Sequence, residues 1–568
     1  MGTPRRISGS AAARLSCEED SAEFQAISLI AQSLAHPQRT LLCTFVQQAD
    51  DKEVAARFLL DEVEQNNVTL LELLADWTSL LRKVRPIVCE TADTPLRQRV
   101  WQRDRGRCCL THVRNGEKRD EDPLCIHPLP PTLFEDDDMA QDGKLHKLLA
   151  IYIGQSKLES LKTLLDPESH SDPTGQLMLM SSRMFDHFEN GRLSLQAKRN
   201  STNTLALYLP KKNFLIPSTQ TVMCRNVKLE NRAADSTSLP SPQIIEVHHC
   251  FAKALAWLEV SDYMKRVLLE SQHKPPAKRS WFQRCMQPVS SVLQSLWPQA
   301  PAFLRAYTYK YLASLSHRLY ARTGSDYVCR LPFNLYLRIA EERWAPRHQA
   351  ELESLRILQK YTTIPAPRGV DAVRHSGSSY LLMTGVPGRG IGQMINSMTD
   401  KQLDLVAEDL KDYVAQLRCI PRNTASEFRI CNPLGRGILD WSIGNSQREE
   451  LRFRTVDAFH HYLAHDLPIR TGDQRKIVTD AHSKKHDCFF THADLNLRNI
   501  LVDETGRISG IVDWECAGWY PEYWEYTKMH FTVRSTLRWL YDVVNPIFPL
   551  YREELLFQDM SAGMVLSW

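Results

Sequence analysis

The sequence carries little net charge and few cysteines for its length. In 568 residues, Lys and Arg number 70 and Asp and Glu number 67, which gives a net charge of +3. Proteins that bind nucleic acid or membrane surfaces through charge usually show a large excess of one sign, so charge identifies no partner. The 14 cysteines include no C-x-x-C pair. Their spacing argues against a disulfide scaffold or a zinc ribbon and favours a reducing compartment.

Long apolar runs are absent as well. The first 20 residues are mostly basic, small or polar and lack the apolar segment of roughly 7 to 15 residues that a signal peptide needs. Apolar stretches such as 41–46 and 254–258 are far shorter than the about 18 residues of a membrane span. We therefore expect a soluble protein without membrane contact, cytoplasmic by default and nuclear as the alternative.

Apolar residues are nevertheless plentiful enough for several folded cores. The sequence is 43% hydrophobic and 24% charged, as in average globular domains. At about 150 residues per domain, this length allows three or four units. Repeats are not evident.

The N-terminal half alternates between helical and mixed patterns. Apolar residues recur at helical spacing over 22–81, whereas 95–196 holds Cys, His and Asp among Pro-bounded turns and predicts a small mixed unit. Short strands are predicted at 205–209 and 213–216, and helices broken by prolines over 248–316.

The C-terminal half begins with a strand, helix, strand pattern. Beyond Tyr327 the apolar period changes to two, in VCRLPFNLYLRIA, which predicts strands over 328–340. A helix that contains Glu351 follows, then a strand at 380–383 and a helix over 399–417.

The most informative stretch is CFFTHADLNLRNILVDETGRISGIVDWECAGW, residues 488–519. Apolar residues precede a polar turn that holds His492 and Asp494. Asn499 precedes a strand that begins at Ile500, turns at Glu-Thr-Gly and returns to end on Asp513, as in a β-hairpin. The pattern predicts that the two aspartates and the asparagine meet at one end of this hairpin.

Phosphoryl transfer needs this set of side chains. One carboxylate, here Asp494, orients the attacking hydroxyl and accepts its proton, while hard oxygen ligands, here Asn499 and Asp513, hold Mg²⁺ on the nucleotide phosphates. The order H-x-D-x-x-x-x-N, with an Asp 14 residues after the Asn, is that of a kinase catalytic loop and its metal-binding Asp. The alternative is an ordinary hairpin whose polar turn residues face water.

These residues resemble the aminoglycoside phosphotransferase family, particularly its fungal members. THADLNLRNILVD is similar to the family's catalytic loop, and GIVDWECAGWYPEYWEY to its D-W-E segment and the aromatic stretch after it. Upstream, RLPFNLYLRIA resembles the strand with the nucleotide-phosphate Lys, AELESL the helix with its Glu partner, and SYLLMTGVPG the strand and hinge between lobes. The resemblance implies an α+β, bilobal, protein-kinase-like domain with a small β-rich lobe and a larger helical lobe.

The same resemblance assigns a role to individual residues. By this resemblance, Asp494 is the catalytic base, His492 belongs to the same loop, and Asn499 and Asp513 hold Mg²⁺. Arg338 stands at the position that binds the nucleotide phosphates, Glu351 is its partner on the helix, and Met383 and Thr384 flank the adenine. The imidazole of His492 either braces the loop by hydrogen bonds, which is the more frequent role, or takes part in proton transfer.

Arg338 stands where the family has Lys. A guanidinium is a longer and less compact cation, although it still pairs with phosphate. We expect Arg338 to pair with Glu351 and the nucleotide phosphates; the alternatives are an exposed strand Arg of no consequence and a weakened site. Gly324 stands almost alone where a glycine-rich phosphate loop would lie. A catalytically weak pseudokinase or scaffold is therefore the second hypothesis.

The segment 95–245 resembles the fungal HNH endonuclease-like domain in the order of RQRVWQRDRGRCCLTHVRN, LCIHPLPP and GQLMLMSSRMFDHFENGRLSL. Such a site uses a His to activate water and a divalent metal to polarise the phosphodiester. Aligning Pro128 with the family's Pro puts Cys125 at the general-base position, and Gln176 and Phe185 stand where Asn and His are expected. We therefore expect a degenerate unit that does not cleave nucleic acid.

Two metal alternatives remain open for this segment. A displaced site could use His127 and His187. Zinc could bind Cys108, Cys109, Cys125 and His127, but adjacent cysteines on a strand point in different directions, which favours buried structural thiols.

Together these patterns predict four regions and one enzymatic activity. The regions are 1–94, helical; 95–245, degenerate HNH-like; 246–320, a helical connector; and 321–568, phosphotransferase-like. The activity is transfer of the γ-phosphate of ATP, or GTP, to a hydroxyl of an unidentified small molecule with Mg²⁺. A nucleic-acid-binding HNH protein is the third hypothesis, disfavoured by the near-neutral charge, and the sequence assigns no oligomeric state.

Overall fold

The computed structural model describes most of the chain, as two compact units, 1–274 and 275–568. The described residues are 21–89, 95–111, 123–141, 143–166, 168, 172–198, 203–210, 221–233, 237–271, 296–319, 327–422, 427–465, 467, 469, 471–531 and 538–565.

The first unit is mainly helical. Its helices are α1 (Ala22–Ser33), α2 (Gln38–Gln47), α3 (Lys52–Glu64), α4 (Leu70–Lys83), α5 (Pro95–Asp104), α6 (Lys144–Ile153), α7 (Gln155–Leu165), α8 (Ser182–Glu189) and α9 (Pro242–Ser271). The side chains of Ser21 and Asp51 cap α1 and α3, and Thr69 with Glu72 forms a capping box on α4, which satisfies N–H groups that helix ends leave without partners. The helical prediction for 22–81 is confirmed.

Two three-stranded antiparallel sheets complete the first unit. The strands are β1 (Ile87–Val88), β2 (Leu124–His127) and β3 (Met178–Met180) in one sheet, and β4 (Ser194–Ala197), β5 (Thr204–Pro210) and β6 (Thr221–Lys228) in the other. Strand β5 confirms the prediction at 205–209, whereas 213–216 lies outside the described residues, as does Gly324 in the second unit.

The second unit opens with a four-stranded antiparallel sheet in the order β7-β8-β10-β9. Its strands are β7 (Val328–Leu331), β8 (Leu335–Glu341), β9 (Gly369–His375) and β10 (Ser378–Thr384). Helix α10 (Ala302–Leu319) packs against β7 and β9, and α11 (Ala345–Tyr361) packs against β9 and β10. The predicted strand, helix, strand pattern is confirmed.

Helices and short strands make up the rest of the second unit. The helices are α12 (Asp400–Arg418), α13 (Val456–His465), α14 (Gly472–His482), α15 (Trp524–Phe531), α16 (Asn545–Ile547) and α17 (Arg552–Val565). The strands are β11 (Arg389–Gly390), β12 (Cys488–Thr491), β13 (Ile500–Val502), β14 (Ile508–Ile511) and β15 (Gly518–Pro521). Strands β11, β13 and β14 form one sheet, and β12 pairs with β15. The predicted helix over 399–417 is α12, which begins after a capping box of Thr399 and Gln402.

The fold thus mixes helix and sheet, as expected. Among the described residues, no helix combines the length and the apolar character needed to cross a bilayer. The four domain boundaries given above stay predictions.

Candidate active site

The β13–β14 hairpin carries two of the predicted site residues. Asn499 precedes β13 and Asp513 follows β14, and the N–H of Val512 donates to the carbonyl of Asn499 at 2.9 Å. Asp513 has a left-handed φ of 68°, which is uncommon for a residue other than glycine. The predicted hairpin is confirmed, and both polar residues lie at its open end.

A buried histidine and a buried glutamate hold the loop that presents Asp494. The Nε2–H of His492 donates to the carbonyl of Val512 at 3.0 Å, and the N–H of Asp494 donates to Nδ1 of His492 at 3.2 Å. The ring tautomer is assigned from these partners. The Glu525 carboxylate accepts from the N–H of His492 at 2.7 Å. Between them, Ala493 has a φ of 62°. With both nitrogens bonded to backbone, the imidazole braces the loop.

Asp494 is oriented by two amide side chains. Its carboxylate accepts from Nδ2 of Asn496 and from Nδ2 of Asn499, each at 3.0 Å. Burial and the negative charge of Asp513 raise the pKa of Asp494 to about 6, whereas Lys528 lowers it. The carboxylate therefore changes its protonation state close to neutral pH.

Arg338, on β8, bonds three carboxylates at once. Its guanidinium donates to Asp513 Oδ1 at 2.6 Å, to Glu351 at 2.8 Å and to Glu515 at 3.0 Å. The pairing with Glu351 that we predicted is present. The side chain of Arg338 is 16% exposed, so these pairs are only weakly screened by solvent. Arg338 is therefore not an exposed strand arginine.

The carboxylates around Arg338 respond differently to this shared cation. Burial opposes ionisation of Asp513, but the guanidinium outweighs burial and lowers the pKa of this aspartate. Burial together with repulsion from Asp513 and Glu515 raises the pKa of Glu351 to about 8, although Arg338 lowers it. One guanidinium cannot offset three ionised carboxylates, and burial together with repulsion from Asp513 also raises the pKa of Glu515.

Met383 and Thr384 lie at the end of β10. Met383 is buried, and the hydroxyl oxygen of Thr384 accepts from the N–H of Arg368 at 2.9 Å. Their contact with an adenine ring stays a prediction.

Comparison with known families adds a decisive observation. Residues 308–546 match the phosphotransferase enzyme family, APH. The C-terminal part of the chain carries a phosphotransferase-family domain. Every site residue described above lies within the matched range.

Solved structures of phosphotransferases are similar to part of the chain. Aminoglycoside phosphotransferase APH(3'')-Id from Streptomyces rimosus is 16% identical, with 46% of this chain and 97% of that chain covered and a TM-score of 0.31. The same enzyme in complex with ADP and streptomycin is 16% identical, with 46% and 98% covered and a TM-score of 0.28. Macrolide 2'-phosphotransferase MphH from Brachybacterium faecium is 14% identical, with 45% and 89% covered and a TM-score of 0.30. No curated protein matches the sequence.

The phosphotransferase-family domain contains four important charged residues that sequence analysis left without a role. Glu515 bonds Arg338, and Glu525 bonds the loop that presents Asp494, as described. Asp440 and Lys528 form a buried ion pair at 2.7 Å, and Trp524 Nε1 donates to Asp440 at 3.0 Å. Glu515 and Glu525 lie in the D-W-E segment and the aromatic stretch after it, which was the available signal, and Lys528 follows that stretch by two residues. No local pattern marks Asp440.

The donor set at the hairpin end fits one hard divalent cation. Asn499 offers an amide oxygen and Asp513 a carboxylate, which are ligand types that suit Mg²⁺. A bound cation would also reduce the repulsion among the carboxylates beside Arg338. In the part of the chain that the structure describes, no group of three or more His, Cys, Asp or Glu side chains is arranged to hold a metal ion. A cation here would therefore need phosphate and water oxygens as further ligands.

In the first unit, the candidate residues lie in two environments. Cys108, Cys109 and Cys125 are buried in hydrophobic clusters, and burial raises the pKa of Cys125 to about 12, so its thiol is neutral at physiological pH. His127 and Phe185 line a cleft of about 560 Å³ together with Pro86, Ile87, Val88, Cys89, Pro131 and Glu189.

Proposed function

We propose that the chain is a kinase-like phosphotransferase that moves the γ-phosphate of ATP, or GTP, to a hydroxyl of a small molecule. The observation that carries this proposal is the half-buried Asp494 carboxylate, held by Asn496 and Asn499 beside Asp513 within the family match at 308–546. The accompanying fold is bilobal, with the β7–β10 sheet and α11 in the small lobe and the hairpin at the edge of the larger one.

Each residue in this mechanism has a defined task. Asp494 accepts the proton of the acceptor hydroxyl, whose oxygen bonds to the γ-phosphorus as the bond to the leaving nucleoside diphosphate breaks. Arg338, held by Glu351, orients the phosphates. Asn499 and Asp513 would hold Mg²⁺, which supplies charge compensation on the phosphate oxygens when bound. Met383 and Thr384 flank the adenine, and His492 keeps the loop in place.

A second candidate, a pseudokinase, is favoured by one contact. Arg338 occupies Oδ1 of Asp513 at 2.6 Å, and an aspartate held in this way binds a cation only if that pair loosens. The degenerate HNH-like unit is part of the same proposal as a module without nuclease activity.

The direct test is ATP consumption by the purified full chain with Mg²⁺ over a panel of hydroxyl metabolites. We expect turnover with a subset of acceptors. Nucleotide binding without turnover on any acceptor would favour the pseudokinase, and the absence of nucleotide binding would contradict both candidates. Salt-dependent binding of DNA would revive the nucleic-acid hypothesis.

The pH dependence of turnover should follow Asp494. Its pKa is raised to about 6, and only the ionised carboxylate accepts a proton, so kcat/KM is expected to be constant above this pH. Below about pH 6 it should fall roughly tenfold per pH unit. The measurement is a kcat/KM profile from pH 5 to 8 in excess Mg²⁺, with circular dichroism at each pH to confirm folding. A flat profile over this range would contradict the assigned base.

A further inference from the structure

Arg347, in the first turn of α11, is a cation that the mechanism above does not use. Its guanidinium lies 3.5 Å from the Trp344 ring centroid and 5.8 Å from that of Trp441. Its Nη2 makes only a long hydrogen bond, 3.5 Å, to the carbonyl of Gln447. Its Nη1 is buried and, among the described residues, has no hydrogen-bond partner. Buried donors are almost always bonded, so this nitrogen has capacity to donate a hydrogen bond to a ligand.

The position of Arg347 places such a ligand near the catalytic base. Helix α11 packs against residues 514–516, which follow Asp513 directly. Asp440, next to Trp441, is bonded by Lys528 of α15, the helix whose Glu525 holds the loop of Asp494. An arginine in the first turn also faces the positive end of its helix, which is electrostatically unfavourable. Arg338 and Lys528, in contrast, are committed to the carboxylates described above. Arg347 is thus a cation near the base with donor capacity to spare. It differs from Arg498, which also lowers the pKa of Asp494 but is exposed, because its guanidinium is stacked on Trp344.

Trp441 supplies an apolar face next to this cation. Its side chain is 46% exposed, whereas Asp440 and Ser446, at the two ends of the turn that carries it, are fixed by hydrogen bonds. Asp440 is buried and paired with Lys528, and Ser446 bonds both the N–H and the carbonyl of Asp440, at 3.0 and 2.6 Å. An exposed indole on a rigid turn offers a flat surface for stacking at little cost in conformational entropy.

We propose that Arg347 and Trp441 form an acceptor subsite that binds the anionic group and a flat ring face of the hydroxyl-bearing substrate. The acceptor class is therefore an anionic ring alcohol, carrying a carboxylate or a phosphate, and not a polycation. This inference rests on the proposed function in one respect, because it assigns the bound molecule as the acceptor for Asp494.

Three matched probes test the subsite. They are 4-(hydroxymethyl)benzoate, 4-(hydroxymethyl)benzamide and 4-(hydroxymethyl)benzylamine, which share ring and hydroxyl but differ in charge. Calorimetry with the full chain should show the benzoate bound at least about tenfold more tightly than the amide, as a charge-assisted hydrogen bond implies. The amine should bind more weakly than the amide.

Variants attribute that preference to Arg347. Arg347→Gln should abolish the preference for benzoate over amide, and Arg347→Lys should restore part of it. The matched control is Arg343→Gln, since Arg343 lies 5.9 Å from the Trp344 ring centroid but is exposed and paired with Glu341 at 3.0 Å; it should keep the full preference. Equal binding of the three probes, no binding of any, or an unchanged preference in Arg347→Gln would overturn the subsite.

Failure of the proposed function gives a different result. Asp494→Asn should keep the binding preference for benzoate, because Arg347 and Trp441 are untouched. If probe binding follows Arg347 but ATP consumption does not depend on Asp494, the subsite stands as an anion site and the acceptor assignment falls.

Discussion

Asp494→Asn is expected to bind Mg-ATP with nearly the wild-type affinity and to lose turnover by about 10³-fold. The amide keeps the shape of the carboxylate but cannot accept a proton. Asn496 and Asn499 each donate to one oxygen of the ionised Asp494 carboxylate, at 3.0 Å. In the variant, one of these two donors loses its acceptor. Single-turnover phosphate transfer measures the chemical step, and nucleotide titration measures binding.

The matched control for this substitution is Asp503→Asn. Asp503 lies in the turn of the same hairpin and accepts from the N–H groups of Thr505 and Arg507 at 2.9 and 3.1 Å. The chemical change is the same, but Asp503 takes no part in the proposed proton transfer, so turnover should stay within about twofold of wild type. Equal turnover in Asp494→Asn and wild type would show that Asp494 is not the base.

Lys528→Met should destabilise the second unit by about 3 to 5 kcal/mol, because it leaves the buried charge of Asp440 without its cation. Asp440 is 0% exposed and Lys528 3%, so water cannot replace the lost partner. Removing Lys528 also removes a charge that lowers the pKa of Asp494, so the acidic limb of the kcat/KM profile should move to higher pH. Urea unfolding of the full chain and the pH profile measure the two effects.

Lys484→Met is the control for this prediction. Lys484 is 44% exposed and pairs with Glu553 at 2.6 Å and with the buried Glu554 at 3.5 Å. Because Glu554 keeps His486 as a partner at 3.1 Å and the pair with Glu553 is exposed, the loss should be about 0 to 1 kcal/mol. Replacing Asp440 by Asn in the Lys528→Met background should recover part of the lost stability, since the buried charge is then gone. A Lys528→Met protein as stable as Lys484→Met would show that the buried pair is not important for folding.

Local sequence was sufficient to predict the hairpin and the principal helices. The strand, Glu-Thr-Gly turn and returning strand are adjacent in the chain, so their pattern is complete within about 15 residues and follows turn chemistry and alternation. Helix α12 begins at a capping box that Thr399 and Gln402 form three residues apart. Such elements depend on neighbours that the sequence places side by side.

Long-range pairs could not be predicted in the same way. Arg338 and Asp513 are 175 residues apart, and Lys528 and Asp440 are 88 apart. The resemblance paired Arg338 with Glu351, but it did not indicate that Asp513 and Glu515 would share the same guanidinium. Whether buried charges pair depends on where the chain folds back on itself, which periodicity does not specify.

In the proposed function, the guanidinium shared by three carboxylates would make cation and nucleotide binding mutually dependent. Arg338 links β8 to Asp513 and Glu515, so nucleotide phosphates would compete with these carboxylates for its N–H donors. Binding of a divalent ion to Asp513 would free the N–H group of Arg338 that bonds this aspartate, and that group could then bond a phosphate. We therefore expect the divalent ion and the nucleotide each to bind weakly alone, and each to raise the affinity of the protein for the other.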